Sequence, residues 1–142
     1  GGNIECVDCR FSLNGYQDSL IAVNGTFTNC CGSVTNAINN SYCFLPSAIG
    51  ILRLFGGEYY AYTRSSSAKS AVVGQSQNEA VAILNGVNAP TVSRSGCYQT
   101  NAIYQLGGIV NSTDLITTLS VTVISGKSNV VGTIQANKPG QI

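Results

Sequence analysis

Short runs in which apolar and polar residues alternate, bounded by Gly, Asn and Ser, recur along the whole chain. Successive side chains of a strand point to opposite faces, so this period of two is typical of half-buried β-strands. In Leu115 to Ser125, for example, Leu119, Val121 and Val123 alternate with polar residues. Alternation or compact apolar runs predict strands over residues 20–28, 49–55, 58–63, 102–110, 115–125 and 130–136.

Turn residues between neighbouring runs favour β-hairpins. Gly56-Gly57 separates two predicted strands, and the cluster over residues 125–129 separates the last two. Such clusters commonly join antiparallel strands. The C-terminal quarter is therefore predicted to form a hairpin.

One segment, residues 75–86, favours a helix. Ser76 and Glu79 have the spacing of a capping box, and Asn85-Gly86 can end a helix that contains Ala80 to Leu84. The alternative is a strand that enters an Asn-Gly turn. We predict one short helix here and no other.

These elements predict an all-β fold, an antiparallel β-sandwich with at most one short helix. A jelly-roll is the first expectation and an immunoglobulin-like sandwich the second, because the Trp typical of immunoglobulin domains is absent. The expected organisation is an N-terminal strand-forming arm over residues 1–19 and a sandwich body over residues 20–142.

The chain is poorly charged, with charged residues making up 9% of it and a formal net charge of +1. Seven scattered Lys and Arg form no basic stripe, so nucleic acid is not an expected partner. No apolar run reaches the roughly 18 residues of a membrane span. The start at Gly1-Gly2 and the absence of Met predict a processed N-terminus and an extracellular or cell-surface location.

Six cysteines in a chain with these features predict a disulfide framework. They are Cys6, Cys9, Cys30, Cys31, Cys43 and Cys97. The neighbours Cys30 and Cys31 are too close for an ordinary bridge with each other, which favours separate partners. Cys6 and Cys9 would then bond to this pair and Cys43 to Cys97, although other connectivities stay open. A redox or zinc centre at Cys6-Val-Asp-Cys9 is the alternative, and no His supports it.

The sequence shows no catalytic constellation. His is absent, the six acidic residues are spread out, and a nominal pair of Ser67 and Lys69 lies in a Ser-rich stretch typical of a loop. We therefore predict that the protein is not an enzyme and needs no metal or cofactor.

Two kinds of carbohydrate site are predicted. Asn24, Asn39 and Asn111 begin sequons for N-linked glycans. Tyr59 and Tyr62, on the strand over 58–63, are candidates for stacking on a sugar ring. The competing interpretation puts Tyr60 and Tyr62 in the core or at its rim and Tyr59 outside.

The N-terminal arm combines a flexible start, the apolar residues Ile4, Val7, Phe11 and Leu13, and two cysteines. With this arm, a low charge and abundant Thr, Ser, Asn and Gly, the chain resembles extracellular fibre and pilus subunits of the donor-strand kind. The resemblance is one of overall character. The chain shows neither a C-terminal sorting signal nor the apolar N-terminal helix of helical-core pili.

The resemblance implies a structural subunit that polymerises head-to-tail with copies of itself. The arm would insert into a neighbouring subunit, and disulfides would reinforce the joint. The alternative function is a monomeric secreted carbohydrate-binding or adhesive module.

Overall fold

A computed structural model describes residues 3–15, 19–21, 24–46, 49–75 and 79–135, with backbone alone for 19–21. These residues form sixteen strands and no helix. Every strand pairing is parallel, and the strands make three sheets. None of the described segments is a helix long and apolar enough to span a membrane.

The sheets are named here A, B and C. Sheet A contains β1 (Asn3–Val7), β4 (Asn24–Thr28), β7 (Ile51–Phe55), β10 (Val81–Asn85), β13 (Ile109–Thr113) and β16 (Lys127–Val131). Sheet B contains β2 (Arg10–Gly15), β5 (Cys31–Asn36), β8 (Glu58–Thr63), β11 (Asn88–Ala89) and β14 (Ile116–Thr117). Sheet C contains β3 (Ser19–Ile21), β6 (Ser41–Phe44), β9 (Ser70–Gln75), β12 (Asn101–Gln105) and β15 (Ser120–Val123).

The chain visits the sheets in the order A, B, C and then returns to A one strand further on. Each circuit is called a coil, so coil 1 is β1 to β3 and coil 5 is β13 to β15. The fold is thus a parallel β-solenoid, in which each coil packs on its neighbours. The predicted antiparallel sandwich is wrong, because a period of two identifies a strand without setting the direction of its partner.

The A-to-B corner explains why hairpin signals led to no hairpin. Two residues separate the strands there in coils 1 to 5. The residue that follows the strand of sheet A has a positive φ in all six coils, between 51° and 65°: Asp8, Asn29, Gly56, Gly86, Asp114 and Gly132. Gly, Asn and Asp are the residues that tolerate this conformation. Gly56-Gly57 therefore turns the chain into the next sheet, and β15 and β16 likewise belong to different sheets.

Hydrogen bonds align these corners. In five of them the N–H of the positive-φ residue donates to the last residue of the next strand in sheet A, as Asp8 does to Thr28 at 3.0 Å and Gly56 to Asn85 at 2.8 Å. The corners consequently stack along the molecule.

The predicted helix is also wrong. Residues 81–85 form β10, which pairs with β7 and β13 along its whole length. Ala82 and Leu84 point into the core, and this alternation follows a period of two. The proposed cap residue Ser76 lies outside the described residues.

The core runs through the middle of the solenoid. Rings of Phe27, Phe44 and Tyr59 meet there, with centroids 5.0 Å apart for Phe27–Phe44 and for Phe44–Tyr59. The Phe11 ring of coil 1 stacks on Tyr59 and occupies the space above Gly32, where an added Cβ would lie 1.9 Å from the ring. Gly32 is therefore required for this aromatic packing.

Candidate functional site

The N-terminal arm is the first coil of the solenoid. β1 pairs with β4 from Asn3 to Val7, and β2 pairs with β5 from Arg10 to Gly15. Phe11 and Leu13 pack partly buried against the core, whereas Ile4 and Val7 are exposed. The strands predicted to enter a neighbour are thus paired within their own chain, and insertion into another subunit stays a prediction.

The orientation of β8 is the opposite of the one expected from packing, which put Tyr59 outside and Tyr60 in the core or at its rim. Tyr59 is fully buried in the core, and Tyr60 lies on the outer face of sheet B. Tyr62 shares that outer face but is only 3% exposed. Neither Tyr59 nor Tyr62, the two residues predicted to stack on sugar, is accessible to a ligand.

The segment over residues 90–100 covers Tyr62. The Arg94 guanidinium lies 4.7 Å from the centroid of the Tyr62 ring and donates to Thr35 Oγ1 at 3.0 Å. The Tyr62 hydroxyl donates to the Val92 carbonyl at 2.9 Å. This segment therefore hides one aromatic ring of sheet B and leaves its neighbour, Tyr60, uncovered.

A cleft of about 430 Å³ lies beside Tyr60 on the outer face of coils 1 to 3, and we call it the outer groove. Its lining includes Arg10, Ser12, Cys31, Ser33, Glu58 and Tyr60. Register explains the grouping: Arg10, Cys31 and Glu58 are successive partners in sheet B, as are Ser12, Ser33 and Tyr60. Two columns of side chains, about 4.8 Å apart from coil to coil, therefore border one groove.

Glu58 is held by two neutral donors. The Tyr60 hydroxyl donates to Glu58 Oε1, and Asn88 Nδ2 donates to Oε2 at 3.3 Å. The pKa of Tyr60 is raised to about 12. Burial is the largest cause, and the hydrogen bond to the Glu58 carboxylate is the second. Tyr60 thus stays a protonated donor at neutral pH, and the carboxylate keeps a fixed orientation.

The groove combines a cation, an anion, hydroxyls and a ring. Arg10 offers only donors, Glu58 accepts, and Ser12 and Ser33 do both. The Tyr60 ring is parallel to that of Tyr62, with an interplanar angle of 5° and centroids 6.4 Å apart. Such an arrangement can bind a polar ligand that also has an apolar face.

The sequence analysis missed this set of residues. Arg10, Ser33 and Glu58 are far apart in the chain, and only the parallel register brings them together. Alternation along β8 does put Glu58, Tyr60 and Tyr62 on one face, but it does not reveal which face is outside.

The six cysteines are all unbridged thiols in the structure. Cys43 is buried in the core, with its thiol 3.1 Å from the Tyr60 carbonyl. Cys97 lies with Tyr62 and Arg94 beside a cleft at the segment that covers sheet B. Cys43 and Cys97 thus lie on opposite sides of β8. The expected bridge between them, like disulfide formation at the other cysteines, stays a prediction.

The three sequons differ in their surroundings. Asn39 is exposed in a loop, where its N–H binds the buried Asn36 Oδ1 at 2.9 Å. Asn111 is exposed on the outer face of β13 in sheet A, in a strand and not in the turn that the sequence suggested. Asn24 is partly buried and its Oδ1 accepts the Ile51 N–H. Glycosylation at the three positions stays a prediction.

Among the residues that the structure describes, no group of three or more His, Cys, Asp and Glu could hold a metal ion. No known protein family matches the chain, and no curated protein or solved structure is similar to it. The geometry of the outer groove is therefore the basis for a functional proposal.

Proposed function

We propose that the protein is an extracellular carbohydrate-binding module, and that a glycan occupies the outer groove with one sugar ring against Tyr60. The observation that supports this proposal is the aromatic ring of Tyr60, uncovered between charged and hydroxyl side chains. The C–H face of a sugar ring packs on an aromatic face, while its hydroxyls need donors and acceptors at the edges.

The rigidity of the groove supports the same ligand class. Its side chains stand on three hydrogen-bonded strands, β2, β5 and β8. Glu58 is fixed by Tyr60 and Asn88 before any ligand arrives. Binding therefore needs little ordering of the protein, which limits the entropic cost of a weak polar interaction.

Replacement of Tyr60 tests the proposal. We expect Tyr60→Ala to weaken binding of the best glycan from an array by roughly 2- to 13-fold, since an aromatic contact contributes about 0.5–1.5 kcal/mol. Tyr60→Phe keeps the ring and loses the hydroxyl, so it should weaken binding less. Isothermal titration calorimetry with that purified glycan measures the dissociation constants of both variants.

Tyr98→Ala is the matched control, because Tyr98 is exposed outside the outer groove. The melting temperature of each variant checks that it is folded. Unchanged affinity in Tyr60→Ala, or no glycan bound by the unaltered protein, would contradict the proposal.

A structural role is the second proposal, favoured by the outer face of sheet A. Ile51, Val81 and Ile109 are register partners and form an apolar column across three coils, with Ile51 38% and Ile109 39% exposed. Glu5 lies on the same face in coil 1 and Lys127 in coil 6. An antiparallel copy would place unlike charges near each other, whereas a parallel copy would pair like charges.

In this second proposal the occupant of the sheet A face is another copy of the chain in an extracellular assembly. Ile109→Lys should then shift the particle mass measured by light scattering toward the monomer. Val92→Lys, an exposed apolar position in the segment over sheet B, is the control. A monomeric unaltered protein at high concentration would rule this role out.

A further inference from the structure

Three thiols meet at the first A-to-B corner, away from the outer groove. Backbone bonds from Asp8 N to Thr28 O, 3.0 Å, and from Cys31 N to Cys9 O, 2.9 Å, set the register there. Cys9 is thus the direct neighbour of Cys30 in the next coil. Their Cα atoms are separated by about 4.8 Å, the ordinary strand spacing, which lies within the range that a disulfide needs.

Cys9 and Cys30 also occupy the same place in the corner. Each follows the positive-φ residue of its coil, the position that Val87 and Leu115 occupy in coils 4 and 5. Cys30, Val87 and Leu115 are buried there, while Cys9 is exposed in coil 1. The two thiols are therefore stacked in one column, with the outer one accessible to a reagent.

Cys6 completes the group. Its carbonyl oxygen lies 3.6 Å from the Cys30 sulfur, and its thiol is within hydrogen-bonding reach of Cys9. Cys9 likewise interacts with the Cys30 thiol. Burial raises the pKa of Cys6 and of Cys30. Cys9 is exposed, so its thiol is the one that meets a reagent first.

We propose that Cys6, Cys9 and Cys30 form a thiol–disulfide exchange site in which Cys9 is the shared sulfur, bridging to Cys30 to fasten coil 1 to coil 2. Cys6 becomes the partner of Cys9 only where Cys30 is replaced. Cys31 lies on the outer face of sheet B, in the outer groove, and is not part of the site.

The co-reactant is a small-molecule disulfide. The Cys9 thiolate attacks one of its sulfur atoms, forms a mixed disulfide and releases one thiolate. The Cys30 thiolate then attacks the Cys9 sulfur, which closes the Cys9–Cys30 bridge and releases the second thiolate. Two protein thiols are oxidised and one small disulfide is reduced to two thiols.

Trypsin separates the two possible bridges. Cleavage after Arg10 gives a peptide over residues 1–10 with Cys6 and Cys9, and cleavage after Arg53 gives a peptide over residues 11–53 with Cys30, Cys31 and Cys43. After the full chain is treated with oxidised glutathione and alkylated, we expect these peptides to be joined. A bridge confined to residues 1–10 in the unaltered protein would overturn the proposal.

Matched variants identify the cysteine of the second peptide that forms the bridge. Cys31→Ser should keep the joined peptides, whereas Cys30→Ala should lose them and close a Cys6–Cys9 bridge instead. The opposite result would assign the bridge to Cys31 and overturn the proposal.

Stability gives a second readout that does not depend on a buried substitution. Oxidised glutathione should raise the melting temperature of the unaltered protein, because the bridge closes a loop of the unfolded chain. Cys9→Ser changes an exposed residue and should abolish this rise, while Cys97→Ser should not. An equal rise in Cys9→Ser would show that another pair of cysteines reacts.

Discussion

Gly86 and Gly15 both have open space where a Cβ would be, but their backbones differ. Gly86 has a φ of 65°, whereas Gly15 lies outside the positive-φ region. We expect Gly86→Ala to lower the free energy of unfolding by about 1–2 kcal/mol, from the left-handed conformation alone. Gly15→Ala should be neutral or stabilise the protein by up to about 1 kcal/mol, since it restricts the unfolded chain.

Chemical denaturation of the two variants measures this difference. An equal effect at both positions would mean that the A-to-B corner does not need a positive φ. The same reasoning explains the residue types found at that corner, where Asp8, Asn29 and Asp114 take the place of glycine in three coils.

Single residues also show the limit of inference from sequence. Alternation correctly separates Tyr59 from Tyr60, because neighbours in a strand face opposite sides. It does not say which side is the core, since β8 is apolar or aromatic on both faces. Tyr62 is buried on the outer face because the segment over residues 90–100 covers it there. That segment lies more than 25 residues away in the chain.

At the scale of elements, two stacked glutamines connect sheet C to sheet A. Gln75 and Gln105 are register partners in β9 and β12, and both are buried. Gln105 Nε2 donates to the carbonyls of Gly108, 3.2 Å, and Lys127, 2.9 Å, in successive coils. These side chains give a second donor to corner carbonyls that already accept a backbone N–H, as the Gly108 carbonyl does from Lys127.

Gln105→Leu keeps the shape of the side chain and removes its donor. We expect the free energy of unfolding to fall by about 1–3 kcal/mol, because the carbonyls of Gly108 and Lys127 lose the amide donor. Gln135→Leu, at an exposed position, should change it by less than about 0.5 kcal/mol. A result for Gln105→Leu as small as that of this control would show that the corner does not depend on the amide.

Strands were the most predictable elements. Residues 58–63 were expected as a strand and form β8 with the same bounds. Residues 81–85 were expected in a helix and form a strand instead. Their local signals of cap and stop fit a short helix, but pairing with β7 and β13 on both sides stabilises a strand. Tertiary pairing outweighs a cap that is worth about 1 kcal/mol.

At the scale of the whole molecule, each coil contacts mainly its neighbours, so stability should vary along the solenoid. Strands of the central coil have a partner on each side, whereas β1 and β16 have one among the described residues. We expect hydrogen exchange measured by mass spectrometry to be slowest in β8 and β9 and fastest in β1 and β16. Uniform protection across the strands would contradict this order.

The solenoid could not be recognised from the sequence because its coils differ in length. Register partners in successive strands of sheet A are 21, 27, 30, 28 and 18 residues apart, as in Asn3–Asn24, Gly25–Leu52, Leu52–Ala82, Ala82–Val110 and Val110–Ser128. Repeat architectures are usually recognised from a fixed period. The signal that was present is the Asp, Asn or Gly that follows each strand of sheet A.

The constant two-residue corner also determines where this protein can vary in length. Residues gained or lost between coils fall in the strands of sheets B and C and at the two other corners, while the stacked A-to-B corners keep the spacing of the strands. The A-to-B corner thus has a constant length. The other two corners carry loops of different size, of which residues 90–100 are the largest. Peptide insertions are best tolerated at those two corners, so the same scaffold can present new surfaces without a change in its frame.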